Sequence, residues 1–287
     1  MTAPAAFAQP DAGWTRPATE GTAGQIATEV VETVRHAAAN APRSLQTQVG
    51  PSQLGTPCTR RLGYSILDWP AKPNSDTDPW TSVIGTAVHA WMAAAYEQKN
   101  ADEMAWVPEY YGAQNEQLGR ERYLVEQRVY LPGGITGSCD LFDRDIGAVI
   151  DWKNTSPAQI RDYRRAGPGD QYRTQIHLYG LGMQLAGEQV RDVAIVFLPR
   201  GGRVDCLHVW AEPYNPAVAI SALKRHQTVR EFLWTLDPEQ NPGRWAWLPT
   251  ADAHCNWCPF HLPSSADLSQ GCPGHKTGTP RNTIREK

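Results

Sequence analysis

The stretch Ile135-Thr-Gly-Ser-Cys-Asp140-Leu-Phe-Asp-Arg-Asp-Ile-Gly147-Ala-Val-Ile-Asp151-Trp-Lys153 decides how this chain is read. Two short β-rich runs flank the turn signal Asp145-Ile-Gly147, so the spacing predicts a hairpin. A turn there brings Asp140 and Asp151 close to opposite each other, in the register that pairs Asp143 with Ala148. Residues two apart on a strand share a face, so Asp151 and Lys153 project together while Trp152 turns the other way. Neighbouring carboxylates repel unless a proton or cation lies between them, and oxygen donors suit hard divalent ions such as Mg²⁺ or Mn²⁺. A lysine beside such an ion can orient water and offset charge on a phosphorane-like transition state, which points to phosphodiester cleavage. Taken alone, Asp-x-Lys on a strand edge is more often a solvated charge pair. Its surroundings carry the sharper reading.

Outward from the hairpin, Tyr123 to Leu131 reads as a strand joined through Pro132-Gly-Gly134 to Ile135 to Arg144, and Ala148 to Asn154 completes an antiparallel meander. Helical periodicity marks Gln25 to Ala39, a second helix with Thr56 as N-cap, Pro57 at its first position and Cys58 in its first turn, and a third from about Pro79 to Lys99. The third carries a wide apolar stripe and His89. Downstream come a helix from about Gln171 to Leu185, strands Val193 to Leu198 and Cys206 to Ala211, and a long helix from Pro216 to Leu236. This order predicts a mixed α/β domain, helices packed on a central sheet, over residues 21 to 275. Residues 1 to 20 read as a mobile arm, and 276 to 287, with Lys276, Arg281, Arg285 and Lys287, as a basic flexible tail.

The 287 residues carry 27 Lys and Arg against 30 Asp and Glu, a net charge of −3. That argues against a bulk basic surface for nucleic acid and leaves room for a local groove. No apolar run, Val193 to Leu198 included, approaches the roughly 18 residues of a spanning helix, so no membrane association is expected. With no basic and apolar leader at the start, a cytoplasmic location is expected. Arg60, Arg61, Arg120, Arg122, Arg128, Arg161, Arg164, Arg165 and Arg173 are groove candidates, a minority of them for DNA contact. Tyr163, Tyr172 and Trp257 are candidate stacking surfaces.

Of six cysteines, Cys255, Cys258 and Cys272 crowd near the C-terminus while Cys58 stands far upstream. Thiolates at Cys-x-x-Cys spacing hold Zn²⁺ or an iron–sulfur cluster, and His254, His261 and His275 lie near enough in sequence to replace a thiolate at a zinc site. Joining Cys58 to the trio would pin the two ends of the chain beside the core. Cys139 and Cys206 are read as buried thiols in strands.

The series His89, Gly137-x-x-Asp140, Asp151-x-Lys153, Gln175-x-x-x-Tyr179 resembles the RecB-like branch of the PD-(D/E)XK nucleases. With Cys58 ahead of Arg60 and Arg61 and the cysteines behind the core, it is similar to the iron–sulfur exonucleases of the CRISPR-associated protein 4 and AddB type. The resemblance implies a restriction-endonuclease-like core clasped by a [4Fe–4S] cluster on Cys58, Cys255, Cys258 and Cys272. It further implies Mg²⁺ or Mn²⁺ on His89, Asp140, Asp151 and the carbonyl of Trp152, and Lys153 as the catalytic lysine. Gln175 and Tyr179 would position DNA or the site, and Glu126 matches an acidic position of the family less firmly. The implied activity is exonucleolytic hydrolysis of DNA with single-stranded or free ends, 5′→3′, in recombination, repair or replication, in a phage or elsewhere. A non-hydrolytic DNA-binding or scaffold subunit and a zinc-stabilised endonuclease are the alternatives.

Overall fold

The expected hairpin forms. A computed structural model describes residues 22–41, 48–75, 78–105 and 120–275; the expected arm and basic tail lie outside the described residues. Strands β1 (Tyr123–Leu131), β2 (Ile135–Asp143) and β3 (Ala148–Thr155) make the antiparallel meander, Tyr123 opposite Asp143, Leu131 opposite Ile135, and Asp143 opposite Ala148. Strand β4 (Asp192–Pro199) runs parallel to β3, and β5 (His208–Pro213) is antiparallel to β4, giving the sheet order β1-β2-β3-β4-β5.

The helices are α1 (Thr22–Ala39), α2 (Pro51–Leu54), α3 (Thr59–Ile66), α4 (Trp80–Ala105), α5 (Pro157–Ala166), α6 (Gly169–Leu185) and α7 (Pro216–Leu236). A parallel pair needs a crossover, and α5 with α6 supplies it between β3 and β4. The sequence reading has no helix at α5, although Ser156 and Gln159 form a capping box there with Pro157 at the first position. Helix α3 begins later than expected. Its N-cap is Cys58, whose sulfur accepts the Arg61 amide at 3.4 Å, and not Thr56, which is buried ahead of it. Cys206 also departs from expectation: it ends a 3-10 turn before β5 and is exposed, whereas Cys139 is fully buried in β2. The apolar members of α1, Ile26 and Val30, remain exposed among the described residues.

Both faces of the sheet are covered. Val88, Met92 and Tyr96 of α4 pack against Tyr123, Leu141, Trp152 and Leu198. On the other face Ile160 of α5 and Ile176, Tyr179 and Met183 of α6 meet Val129, Phe142, Val149, Ile195 and Phe197. Each such side chain, fully buried, contributes about 1.5–3 kcal/mol. Close approach of α6 depends on absent side chains. A Cβ on Gly182 would lie 2.5 Å from Val129, and one on Gly137 would lie 2.9 Å from Pro51 and 3.0 Å from the Tyr179 ring. A third cluster, with Tyr64, Trp69, Trp245, Leu248 and Phe260, joins α3 and α7 to the segment after α7.

Candidate active site

The pairing of β2 with β3 ends at Leu141 and Ile150, so the next residues on each strand, Asp140 and Asp151, stand at the mouth where the strands part. Asp140 reaches across that mouth: its Oδ2 accepts the Trp152 amide at 2.8 Å, and its Oδ1 lies 3.3 Å from His89 Nδ1 on α4. The hydrogen bond to Asp140 outweighs burial and raises the His89 pKa above its ordinary value.

Asp151 is held from the other side. Its Oδ1 accepts from Gln175 Nε2 of α6 at 3.1 Å, and its Oδ2 lies 2.6 Å from Lys153 Nζ. The same Gln175 amide donates to Tyr179 Oη at 3.2 Å, as expected for residues one helical turn apart. Burial pushes Asp151 up to about 6, with Lys153 opposing and Asp140 adding to the shift. Burial by itself would discharge Lys153, but the carboxylates of Asp151 and Asp140 outweigh it and hold the ammonium above its ordinary range. At neutral pH Lys153 is therefore a cation and not a base. Its Nζ also lies 5.0 Å from the centre of the Tyr172 ring, one turn before Gln175 on α6. Sequence reading treats Tyr172 only as a stacking surface. Its i, i+3, i+7 relation to Gln175 and Tyr179 is the signal that places it beside the lysine.

Glu126 is drawn in by an irregularity of the sheet. Leu124 and Val129, five apart, pack in one cluster, as do Cys139 and Phe142, three apart. Strict alternation would send the members of each pair to opposite faces. The phase of alternation thus changes in β1 and β2 while their register persists, Val125 opposite Leu141 and Gln127 opposite Cys139. Glu126 and Asp140 stand at that change, and Glu126 takes a left-handed φ of 47°. Among the described residues, His89, Glu126 and Asp140 are the group whose donor atoms all lie within 4.8 Å of one another. Asp151 stands outside that group, tied to Lys153 and Gln175. The Trp152 side chain is buried in the sheet face under α4, leaving its backbone at the mouth.

The other predicted set converges elsewhere. Cys58, Cys255, Cys258 and Cys272 line one cavity with Tyr64, His261 and His275; His254 does not border it. The polypeptide itself links the two parts of the chain. Arg60 Nε donates to the Trp245 carbonyl at 3.0 Å, Arg61 to that of Ala253 at 3.1 Å, and Tyr64 to that of Leu268 at 2.6 Å. Arg60 Nη1 also lies 3.6 Å from Cys272 Sγ.

Most groove candidates are engaged within the protein. Arg60 and Arg61 bind carbonyls, Arg122 pairs with Asp143 at 2.9 Å, Arg120 with Glu188 at 3.6 Å and Arg173 with Glu212 at 2.6 Å. Arg161, Arg164 and Arg165 stand exposed on α5, the helix that follows the Asp151-x-Lys153 strand. His177, inside the Gln–Tyr motif, is fully buried, with Nε2 2.6 Å from Glu212 and Nδ1 accepting the Asn215 amide, so it fastens α6 to β5 and α7. No helix among the described residues is long and apolar enough to cross a membrane.

No protein-family model matches the chain, and no curated protein does. Among solved structures it is similar to that of SSO0001, at 12% identity and a TM-score of 0.37, over 83% of this chain and 96% of that one. It is also similar to an alkaline exonuclease, LHK-Exo, from Laribacter hongkongensis, at 13% identity and a TM-score of 0.34, over 69% and 97%. A phage-related exonuclease from Haemophilus somnus gives 13% identity and a TM-score of 0.33, over 67% and 96%.

Proposed function

We propose that this protein is a metal-dependent deoxyribonuclease acting on DNA ends. The observation that carries the reading is the meeting of two carboxylates, an imidazole and a charged lysine at one parting of two strands, with Asp151 buried to 3% side-chain exposure. A buried carboxylate held up near 6 beside a second carboxylate is an environment short of positive charge, and oxygen donors with one imidazole suit Mg²⁺ or Mn²⁺. His89, Asp140, Asp151 and the Trp152 carbonyl would hold the ion. When bound, it would polarise the scissile phosphate and make water a better nucleophile.

The chain's own groups do the rest. Lys153, cationic, neutralises charge accumulating on the phosphate oxygens. Gln175 keeps Asp151 turned into the mouth and sets Tyr179 beside it. Tyr172 covers the lysine. Arg161 and Arg164, three apart on α5, offer phosphate contacts on one helix face. Exonucleolytic action on single strands, with 5′→3′ polarity, is the finer form of this proposal, and the motif resemblance supports it.

The four cysteines would hold a [4Fe–4S] cluster that clasps α3 to the C-terminal segment. The donor set fits: four thiols border one cavity.

The test is anaerobic purification with iron and sulfide assays, then incubation with end-labelled linear and closed circular DNA and Mn²⁺. Digestion of linear DNA that Lys153→Ala and Asp140→Ala abolish is the expected result. Survival of linear DNA with wild type overturns the nuclease reading, cleavage of circles makes it an endonuclease, and zinc without iron overturns the cluster.

A further inference from the structure

We infer that Glu126 is an additional ligand for the divalent cation, and that its left-handed backbone is retained because it delivers the carboxylate to the site. The inference rests on reading this mouth as a cation site. Three observations converge on it. Glu126 and Asp140 lie between the register pairs Val125–Leu141 and Gln127–Cys139, and Glu126 closes the three-donor group with His89 and Asp140 inside 4.8 Å. The φ of 47° belongs to a region that glutamate rarely adopts and glycine adopts freely. Such strain persists where surrounding structure over-determines it and function uses it. The Ser138 hydroxyl donates to Glu126 Oε2 at 2.7 Å, which leaves Oε1 for a cation.

Charge favours the same assignment. Beside His89 stand two carboxylates, Asp140 and Asp151, and one ammonium, Lys153; Glu126 adds a third carboxylate, which suits a divalent cation. Its placement on the exposed edge of the mouth also makes it the donor nearest to solvent.

The test uses the full, cluster-loaded chain and Mn²⁺ alone, with free Mn²⁺ read by its EPR signal and thermal midpoints measured without Mn²⁺. Wild type should bind saturably, and Glu126→Gln should bind about tenfold more weakly or worse. Glu126→Gly should lose as much affinity while melting at or above the wild-type midpoint, because glycine relieves the left-handed backbone. A Glu126→Gln protein with wild-type affinity overturns the ligand role, and a Glu126→Gly protein melting below wild type overturns the strain argument. Asp140→Asn separates this inference from its premise. If Asp140→Asn loses Mn²⁺ while Glu126→Gln keeps it, only the present inference falls. Absence of saturable Mn²⁺ binding to wild type removes the cation site itself.

Discussion

The Trp152 amide donates to Asp140 Oδ2 at 2.8 Å, so the side chain of one strand replaces the backbone ladder at the point where its neighbour parts from it. The bond fixes one oxygen of Asp140 and leaves the other facing His89.

Two substitutions therefore separate structure from chemistry. Asp140→Asn keeps an oxygen to accept the Trp152 amide and removes the charge. Nuclease activity should fall at least roughly a hundredfold with the melting temperature little changed. Asp140→Ala leaves a buried amide unpaired and should cost a further 1–3 kcal/mol or so of stability, measured by urea unfolding. Equal stability of the two variants would contradict the bridging role.

The raised Asp151 pKa predicts the pH dependence of cation binding. Below about 6 a proton competes for the carboxylate, so Mn²⁺ affinity should fall as pH drops through that value and level off above it. Since Lys153 opposes the shift, Lys153→Met should move the break to higher pH. Titrating Mn²⁺ between pH 5 and 8 (roughly the histidine-titration range) checks both. A break that moves down in Lys153→Met would contradict the ion pair.

Arg161 and Arg164 should act through phosphate charge. Their double alanine variant should weaken DNA binding at low salt and reduce the slope of log K against log [salt] by about 1.4 for single strands. Arg122→Ala, which breaks a pair with Asp143, should leave that slope unchanged. Fluorescence anisotropy over a salt series measures it.

Gly137→Ala tests the approach of α6 to the sheet. The added methyl would meet Pro51 and the Tyr179 ring, so stability should fall by about 1–3 kcal/mol. Activity should fall as well, since displacing Tyr179 disturbs the Gln175 amide that holds Asp151. Thermal unfolding paired with initial rates decides it. Unchanged stability would mean that α6 has room to shift.

Much of the fold was legible locally. The meander, the crossover helix at Gln171–Leu185 and the long Pro216–Leu236 helix follow from periodicity and turn residues, because those patterns report which face is buried. Helix α5 escaped because its apolar residues are few: Ile160 alone is buried, and only the cap marks its start. Cys206 was misplaced because a 3-10 turn leaves it outside the strand alternation.

Residue chemistry and spacing alone determined the candidates: two carboxylates in one hairpin register, a lysine two positions on, a glutamine and tyrosine on one helix face, and cysteines at ligand spacing. Those relations are short-range and repeat with fixed periods. Which donors meet was a tertiary matter. His89 reaches Asp140 from a helix packed on one face of the sheet, and Gln175 reaches Asp151 from a helix on the other. Glu126 enters the site because two paired strands change phase together. No period in the sequence encodes that change, which shows only in the side chains that meet on each face of the sheet and in the backbone of Glu126.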